Sequence, residues 1–517
     1  MRNPGSIPDQ IGDQLKGIYL TLSELFSTII FIIISVAIIG GMVGVIEHSL
    51  HSILLIEFPL LLFSFGVLVI LCTKKISRSF FTHVKKSVVI DFSEQLIISL
   101  SMIIFSGILV YVGFIPTHLF WALIIGLVSG IILYTLVSFF LGSNSRLIHF
   151  IKKNSEHSII GTLSSGLFSG FLVTCAIAIF IACLSFTSFL LTGHDTHVVL
   201  DLYHIGVISI GLIIVSFPIF SDAVTYSISD NALGISDMLS LPKNQISNLQ
   251  QIQVNISTKF KFYKIVNLIV IFYASGVFLL PFMIRAMKWL SEFERMGLNT
   301  RHHNHVSDSN LFDVTYDITH FVLPFDIHFL NPIFILGLLL GFAILFGICS
   351  MVMVAVSKHS SSISELSHKE LHQNPAIWNH SELPDYLMLV KHISKSASAH
   401  MIILFSISIL SISIIWATIG VAGMIGFLIS LTAGGIVLAL FFLTTGSILS
   451  TAKKSFDSSK ETIQSPAYIS LFFSDKLGDL FKDVIAPIII SFVKFSVLFG
   501  ILMVGIVLEI HEIFLAL

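Results

Sequence analysis

The chain has 517 residues, of which 55% are hydrophobic and only 11% are charged, and its mean hydropathy is +0.95. A soluble globular domain is excluded, because such domains carry roughly 25% charged residues. The composition indicates an all-α polytopic membrane protein formed by one helical domain over residues 1–517. The net charge of −2 does not indicate a particular class of binding partner, and the sequence carries no nucleic-acid-binding motif. The four cysteines lie in apolar segments, which argues against a disulfide framework or a thiolate zinc site.

Apolar runs of spanning length predict about eleven transmembrane helices in a lipid bilayer. They lie near 21–46, 52–72, 95–115, 118–141, 164–191, 203–221, 262–287, 330–357, 400–421, 423–449 and 485–512.

Lysine and arginine are concentrated after the even-numbered runs, which fixes the orientation by the positive-inside rule. The odd-numbered connections are nearly free of them, apart from the long segment 288–329 after the seventh run. We therefore expect a cytoplasmic N-terminus, an extracytoplasmic C-terminus and an extracytoplasmic loop at 288–329. The expected location is a bacterial inner membrane.

The most informative motif is Asp475-Lys-Leu-Gly-Asp479-Leu-Phe-Lys482-Asp483, just before the last apolar run. Its aspartates are spaced i, i+4, i+8, so a regular helix would place them on one face. Carboxylates that close repel one another unless a cation lies among them. The motif therefore predicts a site for Mg²⁺ and a polyanion at a helix end.

Two other acidic segments fall on the same predicted cytoplasmic face as the loop at 450–484. The segment 1–20 carries Asp9 and Asp13, and a loop at 222–261 carries Asp222, Asp230 and Asp237. An alternative interpretation is that these are ordinary polar loops. Three aspartate-rich helix ends beside lysines favour a shared site.

Two charged side chains are predicted within the membrane. Glu24 follows Asp13 by eleven residues, and Lys494 follows Asp483 by the same spacing, which places each about 16 Å deeper on its helix. A charge at that depth costs about 2.5–3.5 kcal/mol on insertion scales, so it should be paired or line a polar path. We expect Glu24 to face Lys494; the alternative interpretation is that each side chain reaches an interface.

The ordered motifs resemble those of the membrane-integral inorganic pyrophosphatases, which hydrolyse pyrophosphate and pump protons or sodium ions. The acidic motif is similar to the family's Gly-Asp-x-x-Gly-Asp-Pro-x-Lys-Asp-Thr, with Ser474, Leu480 and Val484 replacing the first Gly, the Pro and the Thr. Further matches are Arg2-Asn-Pro4 with Asp9-x-x-Gly-Asp13, Ile228-Ser-Asp-Asn-Ala-x-Gly234, Ala452-Lys-Lys454 and Pro384-Asp-Tyr386.

The resemblance implies a role for each motif residue. Asp13, Asp230, Asn255 and Asp479 match magnesium ligands, in acidic motifs that also contain Asp9 and Asp475. Lys482 and one of Lys453 and Lys454 match lysines that bind pyrophosphate. Asp483 matches a carboxylate that activates water, and Glu24 and Lys494 match the ion path. The resemblance also implies a homodimer, whereas Thr258 leaves the K⁺ dependence undetermined.

The sequence also departs from the family pattern. Family members have about sixteen helices, and this chain resembles the last eleven of them, without the acidic loop that supplies further ligands. Gly17 stands at the position of the second water-activating carboxylate. Ser27 and Phe31 stand at the two positions of the membrane glutamate, and Asn248 and Gln251 replace two aspartates. Loss of one base should cost about 10²–10⁴ in rate, so we expect the chain alone to hydrolyse pyrophosphate poorly.

Three functional hypotheses therefore stay open. The chain is part of a split pyrophosphatase completed by a separately encoded five-helix chain, or a catalytically inactive relic of the family, or an unrelated secondary transporter.

Overall fold

The computed structural model describes residues 6–46, 52–80, 87–192, 198–238, 253, 256–279, 331–375, 386–457 and 465–516. Within these ranges the regular secondary structure is helical and contains no strand, which confirms the predicted all-α class. The helices are α1 (Ser6–Ile46), α2 (Ser52–Phe80), α3 (Ser87–Tyr111), α4 (Thr117–Leu141), α5 (Arg146–Ser155), α6 (Ile159–Thr192), α7 (Val198–Met238), α8 (Ile256–Leu279), α9 (Pro332–Gln373), α10 (Tyr386–Asp457), α11 (Pro466–Asp479) and α12 (Ala486–Ala516).

Eleven segments of the described chain are long and apolar enough to cross a membrane, as the sequence predicted. Two of them, Lys391–Gly420 and Ala422–Phe456, are halves of α10. Gly420 separates these halves with φ = 73°, a left-handed conformation that glycine adopts without steric cost. A single glycine therefore divides the longest helix into two spans.

Most helices are longer than the apolar runs, because hydropathy does not detect polar residues that continue a helix. The clearest correction concerns 222–238, which the sequence analysis placed in a loop and which instead forms the last turns of α7. No proline occurs between Pro218 and Pro242, so the backbone can remain helical through this polar stretch. The predicted loop at 450–484 likewise contains the end of α10 and all of α11.

The core of the bundle is formed around α7 and α8, whose spanning segments are the most buried, at 81% and 78%. Helix α7 packs against α1 and α4, and α10 packs against α9, α11 and α12. Glycines allow close backbone approach: a Cβ on Gly126 of α4 would lie 2.3 Å from the carbonyl oxygen of Ile208 on α7. Such small-residue contacts are typical of helices packed within a membrane.

Candidate functional site

Lysines from three helices converge where α7 and α10 end and α8 begins. Lys261 of α8 is buried, and its Nζ donates to the carbonyl oxygen of Leu141 (2.9 Å) and to Oγ1 of Thr451 (2.5 Å). Its ammonium lies close enough to Lys454 and Lys482 to experience the charge of both. Like charges gathered in a buried place repel one another. The arrangement therefore favours an anion between them.

The hydroxyl of Tyr226, on the polar end of α7, adds to this pocket. It accepts a hydrogen bond from Lys454 Nζ at 2.6 Å, and the same ammonium lies 4.9 Å from the centre of the Tyr226 ring. Tyr226 also contributes to the electrostatic environment of Lys482. The helical extension of α7, which hydropathy missed, brings this residue to the lysines.

The carboxylates of the acidic motif lie beside the same lysines. Asp475 is buried, and its Oδ2 lies 3.3 Å from Lys453 Nζ. Asp479 Oδ1 accepts a hydrogen bond from Lys482 Nζ at 2.7 Å, and Asp483 Oδ2 lies 3.9 Å from that nitrogen. The structure thus brings together the predicted Lys453, Lys482 and all three aspartates in the manner of ion pairs.

The backbone between the three aspartates is not a regular α-helix, and their exposure differs. Residues Leu480–Ile485 form a π-helical turn between α11 and α12, and a π turn holds more residues than an α turn. The side chain of Asp475 is 8% exposed, whereas those of Asp479 and Asp483 are 37% and 55% exposed. Asp483 thus lies at the surface, whereas its neighbour Lys482 is largely buried beside Asp479.

A contact between two glycines sets the distance between α10 and α11 at this site. A Cβ on Gly446 would lie 2.3 Å from the carbonyl oxygen of Gly478 and 2.9 Å from Cβ of Lys482. The two backbones therefore touch about two helical turns from Lys453. This close approach is what allows Lys453 of one helix to reach Asp475 of the other.

The carboxylate oxygens of the acidic motif are the type of ligand that Mg²⁺ prefers. Oδ1 of Asp475 is buried without a hydrogen-bond partner among the described residues, so one carboxylate oxygen has unused binding capacity. The number of such ligands is small, because the described residues contain no group of three or more His, Cys, Asp or Glu side chains that could hold a metal ion.

Several other predicted ligands cannot be placed. Asp9 and Asp13 lie on α1 and Asp230 lies on α7, but their side chains are outside the described part. Asn255, Asn248, Gln251 and the segment 288–329 also lie outside the described residues.

Glu24 forms a buried ion pair with Lys264 of α8, not with Lys494 as the sequence analysis expected. Lys494 instead donates hydrogen bonds to the hydroxyls of Ser27 and Thr28, each at 2.9 Å. Lys264 was missed because it lies near the start of an apolar run, where only Lys259 and Lys261 were considered. The cost of a buried charge, applied to Lys264 as it was to Glu24, would have identified it.

Phe31, at the second position of the family's membrane glutamate, is buried in the core. Its ring stacks on Phe278 of α8, with centroids 4.8 Å apart. This position therefore contributes apolar packing between α1 and α8.

We predict that Lys264→Met destabilises the protein more than Lys494→Met. Removing Lys264 leaves the Glu24 carboxylate buried without its partner, which typically costs about 3–5 kcal/mol. The acceptors of Lys494 are neutral hydroxyls, and each also donates to the carbonyl oxygen of Glu24. Thermal unfolding of the two purified variants in the same detergent measures the difference, and the reverse order would contradict the assigned pairing.

A second buried network was not foreseen from the sequence. Lys259 Nζ of α8 lies 2.7 Å from Oδ1 of Asp91 on α3 and 2.5 Å from Oδ2 of Asp222 on α7. The hydroxyl of Tyr134 on α4 donates to the other oxygen of Asp91 at 3.0 Å. One lysine thus connects helices that are far apart in the chain. The sequence signal was a charged residue just outside the end of each apolar run.

Comparison with known proteins agrees with this architecture. The family model described as inorganic H⁺ pyrophosphatase matches residues 1–503. The chain belongs to this family. Family membership confirms the resemblance drawn from the motifs and the class of membrane pyrophosphatase, and the spanning helices make the chain an integral membrane protein.

Relatives of this pyrophosphatase family match nearly the whole chain at low identity. The putative K⁺-stimulated pyrophosphate-energized sodium pump of Bacteroides thetaiotaomicron is 23% identical, over 98% of this chain and 69% of the relative. The K⁺-insensitive pyrophosphate-energized proton pumps of Methanosarcina mazei and Chloroflexus aurantiacus are each 22% identical. They cover 98% and 99% of this chain, and 70% and 65% of their own lengths. Both sodium and proton pumps are thus among the relatives.

Proposed function

We propose that this protein hydrolyses inorganic pyrophosphate at the lysine-rich pocket and couples hydrolysis to movement of a cation past Glu24. The observation that carries the proposal is the convergence of Lys261, Lys454 and Lys482, from three different helices, beside the acidic motif. Pyrophosphate is a compact polyanion, and lysine ammonium groups bind phosphate oxygens as point charges.

Within this proposal the pocket residues have distinct roles. Lys453, Lys454 and Lys482 bind the substrate, and Lys261 adds positive charge from the buried side. Asp475 and Asp479 hold Mg²⁺ together with Asp9, Asp13, Asp230 and Asn255. The bound Mg²⁺ supplies charge neutralisation of the phosphate oxygens. Asp483 orients water and accepts its proton, a role suited to an exposed carboxylate at the pocket edge.

Orientation and assembly complete the proposal. The lysine-rich end of the bundle faces the cytoplasm of a bacterial inner membrane, which agrees with the clustering of positive charge at that end. The N-terminus is cytoplasmic, the C-terminus is extracytoplasmic, and the protein forms a homodimer. K⁺-stimulated and K⁺-insensitive pumps are both among the relatives, so the proposal leaves the K⁺ dependence undetermined.

Full activity should need ligands beyond those on the described residues. Asp475 and Asp479 each lie beside a lysine. The described residues contain no group of three candidate metal ligands. An additional acidic loop, on the same or on a separately encoded polypeptide, would complete the site. Gly17, in place of a second water-activating carboxylate, adds to the expected loss of rate.

We expect membranes containing the full chain to release phosphate from pyrophosphate in a Mg²⁺-dependent manner. Asp483→Asn should lower that rate by about 10²–10⁴, because general-base activation of water is lost. Glu365→Gln is the matched control, since Glu365 is an exposed carboxylate paired with Lys369 on the same helix. Equal rates for the wild type and Asp483→Asn would exclude catalysis by this pocket.

The second candidate function is binding of a phosphate compound without turnover, favoured by the pairing of the described carboxylates with lysines. In that case pyrophosphate should raise the thermal stability of the wild type while no phosphate is released. Lys482→Met should abolish this stabilisation, whereas Lys369→Met, at an exposed site, should retain it.

A further inference from the structure

The ion pair between Glu24 and Lys264 is enclosed within the membrane-spanning part of the bundle. Both side chains are only 11% exposed, and they come from α1 and α8, two helices that are packed together in the core. The ammonium of Lys264 therefore occupies the place beside the Glu24 carboxylate that a bound cation would take.

The hydroxyl oxygens next to Glu24 also have an ammonium group beside them. The hydroxyls of Ser27 and Thr28 accept hydrogen bonds from Lys494 and donate to the carbonyl oxygen of Glu24, at 3.0 and 2.8 Å. Each hydroxyl thus uses its hydrogen and one of its two lone pairs, and the Lys494 ammonium lies against both oxygens. A metal cation that takes these oxygens and Oε2 of Glu24 as ligands would therefore have to displace the ammonium groups that lie on them.

Two lysines and a single carboxylate meet at this site among the described residues. Lys264 comes from α8, Lys494 comes from α12, and Glu24 is the carboxylate. The third titratable group is Tyr263 of α8, whose hydroxyl donates to the carbonyl oxygen of Thr21 and which senses the charge of Glu24. Positive charge on these lysines repels sodium and a proton alike, so the difference between the two ions lies in the number of free oxygen ligands.

We infer that the ion carried past Glu24 is a proton and not sodium, and that Lys264 is the residue that decides between them. This inference rests on the proposed transport function. Sodium needs several free oxygen ligands at once, whereas a proton needs a single lone pair on one carboxylate oxygen. Both kinds of pump occur among the relatives, so the choice is a property of this chain's own residues.

The proton step is a simple transfer. A proton from water reaches one oxygen of Glu24, the carboxylate becomes a neutral acid, and its hydrogen bond from the Lys264 ammonium is released. Loss of that proton to water on the other side restores the carboxylate and the pair. In this step the only proton that moves is the one on Glu24.

Equilibrium binding of ²²Na⁺ to the purified full chain tests the inference without requiring hydrolysis. We expect no saturable binding to the wild type, and saturable binding to Lys264→Gln that is lost in the double variant Glu24→Gln/Lys264→Gln. Lys369→Gln, at an exposed position, is the control and should behave as the wild type. Saturable binding by the wild type that disappears in Glu24→Gln would overturn the inference.

A stability measurement on the wild type covers the case in which Lys264→Gln does not fold. Replacing choline chloride with sodium chloride should leave the melting temperature unchanged. A sodium-specific increase that is absent from Glu24→Gln would overturn the inference by itself.

Transport in proteoliposomes separates this inference from the proposed function. Pyrophosphate should acidify the lumen without ²²Na⁺ uptake, which supports both proposals. Hydrolysis accompanied by ²²Na⁺ uptake would refute the inference and keep the enzymatic function. Absence of hydrolysis would refute the proposed function, and the sodium-binding result would then decide whether Lys264 excludes sodium.

Discussion

Replacing Lys259 with methionine should destabilise the protein by about 3–5 kcal/mol, the loss typical of breaking a buried ion pair. Lys259 is 6% exposed and forms ion pairs with Asp91 and Asp222, which belong to different helices. Without the ammonium, two carboxylates face each other with only the Tyr134 hydroxyl as a described donor to Asp91. Unfolding in increasing concentrations of SDS, followed by far-ultraviolet circular dichroism, measures the change.

Two further variants show whether that loss comes from charge. The triple variant Asp91→Asn/Lys259→Met/Asp222→Asn removes the charges together and should recover most of the stability, since exchanging a whole buried network for neutral groups is often close to neutral. Lys369→Met breaks an exposed pair on one helix and should cost at most about 0.5 kcal/mol. Equal losses for Lys259→Met and Lys369→Met would mean that the network does not hold these helices together.

Substitution Gly446→Ala should damage both stability and activity, because it lies at the contact that positions the candidate site. The new Cβ would be 2.3 Å from the Gly478 carbonyl oxygen, so α11 would have to move away from α10. Overpacking of this kind typically costs about 1–3 kcal/mol. A displacement of about 1 Å at Lys453 and Asp475 would lower pyrophosphate hydrolysis by about 10².

Gly347→Ala in α9 is the matched control for this substitution. It is also a helical glycine in a spanning segment, but no described atom beyond its chain neighbours and the adjacent backbone of its own helix lies within 4 Å of its added Cβ. The variant should retain activity and gain up to about 1 kcal/mol from helix propensity. If Gly446→Ala melts and hydrolyses pyrophosphate like Gly347→Ala, the α10–α11 contact does not set the geometry of the pocket.

The number and class of the helices followed from the sequence, because a spanning helix must present about twenty apolar residues whatever its neighbours are. The positions of the helix ends were predicted less accurately from the sequence. At 222–238 the hydropathy falls while the helix continues, since membrane insertion needs apolar residues but helix formation does not. The break at Gly420 and the π turn at 480–485 are backbone conformations that the spacing of residue types in the sequence does not specify.

The motif residues were recognised from the sequence, but their partners were not. Lys453, Lys482 and the three aspartates were foreseen as one site, and the structure places them together. Lys261 and Tyr226 join that site through helices that are distant in the chain, so no local spacing connects them to it. The assignment of magnesium ligands stays a prediction.

The sequence by itself determined a helical membrane protein of the inorganic H⁺ pyrophosphatase family and identified the acidic and lysine motifs, since composition and local order carry that information. Only the tertiary structure decided which charges meet. Glu24 pairs with Lys264, Lys259 connects Asp91 with Asp222, and Lys494 binds hydroxyls. The physical reason is that a buried charge takes the partner that packing places within reach, and helix packing depends on residues far from one another in the chain.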